Sequence, residues 1–166
     1  MAGMITQLIE NISEQIERYG ELLGLSHEEK DILIKNDVEE LQKITNLKNM
    51  VITQSNRLEK KRIALVDDIA EVMGSGQKNI ELSALIELLG DQPEAEVLKE
   101  KGEILRSTLN QLKEANDLNK QLLEASIEYI EYSLNMVRSS VNPEYLEFPD
   151  KAGKGQDVYG SFDTIQ

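Results

Sequence analysis

The chain has 166 residues, 31 of them acidic and 18 basic, for a formal net charge of −13. Aromatics are 4%, cysteine and tryptophan are absent and there are three prolines. This is an all-helical composition without disulfide or thiolate chemistry, and its acidity argues against nucleic acid and anionic membranes as partners. The charge serves solubility or offers an acidic face to a basic partner.

The N-terminal stretch MAGMITQLIENISEQ lacks a basic n-region and an unbroken apolar run, so it does not read as a secretory signal. No window approaches the roughly 18 apolar residues of a membrane span. A cytoplasmic location without membrane insertion is expected. The first helix is expected from about residue 4 to 34. Ile5, Leu8, Ile12, Ile16, Tyr19 and Leu23 form its stripe, widened by Ile9 and Leu22. Gly20 and Gly24 inside it suit a bend or close helix contact, or are simply weak helix formers. Lys35-Asn36-Asp37 breaks the pattern. Asp37 and Glu40 carry the capping spacing that opens a second, antiparallel helix, residues 38–73.

In that second helix Leu41, Ile44, Val51, Leu58, Leu65, Ile69 and Val72 form the stripe. Lys48, Ser55 and Arg62 share it, as polar seam residues that fix register or snorkel outward. Gly74-Ser75-Gly76 ends the helix. A short leucine-rich helix, about 80–89, stops at Gly90.

A last helix of about residues 92–141 follows a capping signal at Asp91 and Glu94, with Pro93 in its first turn. Leu98, Leu105, Leu109, Leu112, Leu123, Ile130 and Val137 recur at near-heptad spacing, with Asn116, Asn119 and Ser126 filling the stripe. Asn116 and Asn119 are expected to hydrogen-bond within the bundle and set helix register. Such a helix would reach roughly 75 Å, against roughly 45–55 Å for the first two. Its distal apolar residues would then overhang its neighbours. Leu122, Tyr129 and Met136 form a second line on the wheel. With Ile130, Leu134 and Val137 they make an apolar arc wider than one core contact needs. The fold expected is all-α: an elongated antiparallel bundle of three long helices plus a short helix over residues 1–141, with a mobile or docking tail at 142–166. Both phenylalanines and two of the five tyrosines fall after Pro143, which favours docking.

Catalytic chemistry finds no support. His27 is the only histidine and lies beside Glu28 and Glu29. The carboxylates are face charges, with no pair set apart as acid and base. The Gly-Ser-Gly turn is no phosphate loop and no EF-hand spacing exists. No enzyme activity, cofactor or metal is expected.

Several stretches together resemble a known family. They are the stretch Leu33, Leu41, Ile44 and Lys48, spaced L-x7-L-x2-[IL]-x3-K, N-x2-N-x2-L-L-x2-S-x2-Y-I from Asn116 to Ile130, and the tail pair Tyr159-Gly160. The chain resembles the FlgN family of flagellar type III export chaperones over nearly its whole length. The resemblance implies a small cytoplasmic helical protein that binds the C-terminal helical region of the hook–filament junction proteins FlgK and FlgL. It implies client binding through the last part of the last helix and the tail, and the wide apolar arc of Leu122, Tyr129, Ile130, Leu134, Met136 and Val137 is the expected client groove there. It also implies docking at the export apparatus through Tyr159 and Gly160, although the glycine often found a few residues further on is replaced by Ser161-Phe162-Asp163. The other reading of the surplus apolar face is a structural coiled-coil protein that forms a homo-oligomer through its last helix or tail.

Overall fold

A computed structural model describes residues 1–76 and 78–141. They hold four α-helices and no strand: α1 Ala2–Lys35, α2 Val38–Val72, α3 Leu82–Leu89 and α4 Pro93–Val141. The chain divides into two units, Met1–Ser126 and Ile127–Gln166. Expectations placed on the tail, Tyr159 and Gly160 among them, lie outside the described residues.

The α1–α2 turn follows from two residues. Asn36 takes the left-handed conformation, φ 54°, that ends α1, one of the few side chains that tolerates it. Its N–H donates to Leu33 O at 3.2 Å and that of Asp37 to Ile32 O at 3.3 Å. Asp37 is extended and its Oδ1 accepts the Glu40 N–H at 3.1 Å, the N-cap bond expected of this spacing. The two helices then pair in opposite directions. Asn11 meets Leu58, Gln15 meets Glu59, and Glu29 meets Lys48 nearest the turn. Gly90, at φ 57°, closes α3. Pro93 is the first residue of α4, and the Ala95 N–H bonds Gln92 O at 3.0 Å. The helix thus opens at Gln92 rather than at the Asp91 of the capping signal.

Two apolar clusters fill the Met1–Ser126 unit. The larger joins Ile5, Leu8 and Ile12 of α1, Leu65, Val66 and Ile69 of α2, Leu85 and Leu89 of α3, and Ala95 and Leu98 of α4. Each fully buried side chain of this size contributes about 1.5–3 kcal/mol. The smaller joins Leu22, Val51 and Leu112. Several buried positions are polar: Asn11, Gln15, Ser26, Ser55 and Asn119.

The burial pattern shifts three stripes. In α1 the inward seam runs through Ile5, Leu8, Ile12, Gln15, Tyr19, Leu22, Ser26 and Leu33, leaving Ile16 and Leu23 on its flank. In α2 Val72, expected inside, is 60% exposed, because Ile69 and Ala70 already complete the inner face of the last turn. In α4 Leu109 and Leu123 are exposed, while Leu105, Thr108, Leu112, Ala115, Asn119 and Leu122 carry the inward line. The three- and four-residue steps allow either line, and the polar members hide the one that is used. No atom lies within 4 Å of a Cβ built on Gly20 or Gly24, so neither glycine serves a close helix contact.

Candidate functional site

Polar side chains from three helices converge in the Met1–Ser126 unit where its apolar clusters end. Asn119, 5% exposed, donates through Nδ2 to Ser26 O at 2.7 Å and to Glu29 Oε2 at 2.8 Å. Glu29 pairs with Lys48 Nζ at 2.6 Å, both side chains 15% exposed. The Ser26 hydroxyl donates to Asn116 Oδ1 at 2.9 Å, which also receives Lys48 Nζ at 3.4 Å. Charge-assisted bonds among half-buried groups are stronger and more directional than surface pairs. Asn116 is itself exposed; it reaches the layer from the rim, and Asn119 is the buried member. Asn119 Oδ1 has no protein partner. Lys48 stands here as a tether between α2 and the other two helices.

A second polar layer sits on α1 and α2. Arg62 binds Glu59 through Nη2 at 2.7 Å and Nε at 3.0 Å, and Gln15 donates to Glu59 at 3.0 Å. The Arg62 guanidinium holds the Glu59 carboxyl below its usual value despite partial burial, and Glu59 raises Arg62 in turn. Burial, and then the Glu59 charge, push the Tyr19 hydroxyl up.

In the second unit, the part of α4 from Ile127 to Val141 has the opposite character. Tyr129 is 69% exposed, Ile130 52%, Leu134 49%, Met136 56% and Val137 60%. Ile127, Tyr132 and Val141 are also exposed. At 100° per residue, Ile127, Ile130, Leu134, Val137 and Val141 fall within about 80° of arc. Tyr129, Tyr132 and Met136 make another arc, separated from the first by Ser133 and Ser140. Half exposure of so many large apolar side chains leaves several hundred Å² bare, the scale of an interaction surface. Leu122 differs from the other candidates. It is half-buried within the Met1–Ser126 unit and belongs to the inward line there.

The family model described as FlgN protein matches residues 1–146. The chain belongs to the FlgN family. That membership makes it a relative of flagellar export chaperones, and the match takes in both the polar layer and the exposed stretch of α4. No curated protein and no solved structure matches the chain. Among the described residues of this FlgN protein, no helix is long and apolar enough to cross a membrane. No group of three or more histidines, aspartates and glutamates there is arranged to hold a metal ion.

Sequence reasoning placed the exposed α4 residues and both asparagines in view. It missed Gln15, Ser26 and Glu29. Unbroken three- and four-residue spacing from Ile5 through Gln15, Ser26 and Glu29 to Leu33 was the available signal.

Proposed function

We propose that this FlgN-family protein is a cytoplasmic export chaperone that holds the C-terminal helical region of FlgK and FlgL and delivers it to the type III export gate. The observation that carries the reading is the exposed apolar face of Tyr129, Ile130, Leu134, Met136 and Val137. An amphipathic client helix laid along α4 would cover this face in the helix-in-groove mode. A tyrosine and a methionine within it suit a surface that adapts to two similar clients. The polar layer at Asn116 and Asn119 sets the register of α4 on α1 and α2. In this reading residues 1–141 form an elongated antiparallel bundle, and residues 142–166 form a tail whose Tyr159 and Gly160 dock at the export apparatus.

The test is a pair of substitutions, Tyr129→Glu and Met136→Glu, read by melting and by titration with a FlgK C-terminal peptide. Unchanged melting with binding lost supports the face as the client site. Unchanged binding places the client elsewhere, and collapse of the fold makes the face ordinary core. The same exposed face also suits a homo-oligomer. A stable dimer by light scattering, unmoved by the client peptide, would favour that second reading.

A further inference from the structure

We infer that the groove between α1 and α2 docks an acidic amphipathic helix of a partner protein, on helices other than the one proposed to hold the client. The groove encloses about 440 Å³ and is lined by Glu14 and Arg18 of α1 and by Gln54, Arg57, Leu58 and Lys61 of α2. Arg57 and Lys61 are exposed, and neither has an acidic partner among the described residues. Arg18 shares its charge with Glu21 at 2.7 Å and Glu17 at 3.5 Å. Glu14 is the only acid in the lining.

The local charge runs against the rest of the molecule. The chain carries −13 overall, yet Arg57, Lys60, Lys61 and Arg62 stand together with Glu59 as the single acid among them. Solubility of so acidic a protein does not call for a basic island. Arg62 is held by Glu59, while the exposed Arg57, Lys60 and Lys61 have no acidic partner among the described residues; such unpaired cations focus the local field and draw carboxylates from solution. One and two helical turns before Gln54 on the same side of α2, Met50 is 63% and Leu47 51% exposed. Leu47, Met50, Gln54, Arg57 and Lys61 recur at three- and four-residue steps, so they form one ridge. Its chemistry passes from apolar to cationic. A helix that complements it carries an apolar pair followed by carboxylates, and two antiparallel helices side by side with Leu58 between them leave a trough of the width a third helix fills.

The probe is a labelled synthetic helix with leucines on one face and glutamates flanking them, together with its analogue in which glutamine replaces glutamate. The full chain is titrated at low and at physiological salt, and backbone amide shifts locate the contact. The expected result is binding of the glutamate peptide, weakened at least tenfold by Arg57→Glu with Lys61→Glu and by added salt. Met50→Gln should weaken it without altering the salt dependence, and shifts should fall on α1 and α2. Unchanged melting of the variants makes the loss specific. The inference is overturned by no binding, by equal binding of the glutamine analogue or of the charge-reversed chain, or by shifts confined to residues 127–141. A dimer of the chain that the same reversals dissociate would assign the groove to a second copy. Retention on phosphatidylserine vesicles, abolished by the reversals, would assign it to a membrane surface. Either outcome overturns the inference, and neither bears on client binding at Tyr129 and Met136.

Discussion

Asn119 offers the most direct test of how α4 is held. Asn119→Asp keeps the shape and exchanges the Nδ2 donor for an acceptor. The wild-type amide donates to Ser26 O at 2.7 Å and Glu29 Oε2 at 2.8 Å. Losing one neutral bond and one charged bond removes about 2–4 kcal/mol. Placing a carboxylate against Glu29 adds repulsion of about 4 kcal/mol for charges roughly 4 Å apart at an effective dielectric near 20. Lys48 and proton uptake relieve part of it, so about 3–5 kcal/mol of destabilisation is expected at pH 7. The new carboxyl, held near another, has its folded pKa raised. Its protonated form is therefore favoured by folding, and the deficit is smallest below the ordinary carboxylate range and grows as pH rises through it. Asn119→Leu loses the same two bonds but also deletes the unpartnered Oδ1, whose desolvation costs about 1–3 kcal/mol. It should lie within about 2 kcal/mol of wild type with no comparable pH dependence. Urea unfolding followed by helical circular dichroism at pH 4.5 and pH 7 measures both. An aspartate variant within 1 kcal/mol of wild type at pH 7, or one whose deficit shrinks as pH rises, would refute the buried network as drawn.

Gly20→Ala and Gly24→Ala should each stabilise the protein by about 0.5–1 kcal/mol, since nothing crowds either Cβ; a loss on thermal melting would reveal a bend or contact there. Glu59, its pKa lowered by Arg62, stabilises the fold above the ordinary carboxylate pKa and loses that contribution as pH falls through its folded value. The gap between wild type and Glu59→Gln should accordingly close on acidification, and a constant gap would remove Glu59 from the acid response. Leu98→Ala, in the larger cluster and fully buried, should cost about 2–5 kcal/mol, whereas Leu123→Ala, 42% exposed, should cost under about 1 kcal/mol; equal costs would contradict the inward line of α4. Tyr159→Ala should melt and bind client as wild type does while exporting poorly, with normal export in cells the result that excludes Tyr159 from gate docking.

The helices were legible because their punctuation is local. Asp37, Gly90 and Pro93 act within a turn of themselves, and helix ends follow from them whatever the helices later pack against. Choosing the inward face is a tertiary matter. Leu109 and Leu123 read as core because leucine recurs at near-heptad spacing there, but α4 turns Thr108, Ala115 and Asn119 inward, and the partners that hold Asn119 lie on α1. Ser26 and Gln15 are marked only by their place in the three- and four-residue spacing, not by residue type; their partners Asn116, Asn119 and Glu59 reach them from far along the chain. The exposed face at Tyr129, Met136 and Val137 was readable because an apolar arc that wide exceeds what one neighbour can cover. Leu122 lies one heptad before Tyr129 on the same line of the wheel and was therefore grouped with it, though packing within the first unit half-buries it.

The sequence distances between partners also set an order of assembly. Glu29 and Lys48 are 19 residues apart, and Gln15 and Glu59 are 44 apart. The bonds from α4 to Ser26 span 90 and 93 residues. Shorter loops close at lower entropic cost, and synthesis proceeds at about 5–20 residues per second. The α1–α2 hairpin can therefore close from its Asn36-Asp37 turn while α4 is still inside the ribosome. For some seconds the nascent hairpin presents Ile5, Leu8, Ile12 and Leu22 without Leu98 or Leu112 to cover them. A chaperone made this way is, early in its own synthesis, a bare apolar surface waiting for a helix.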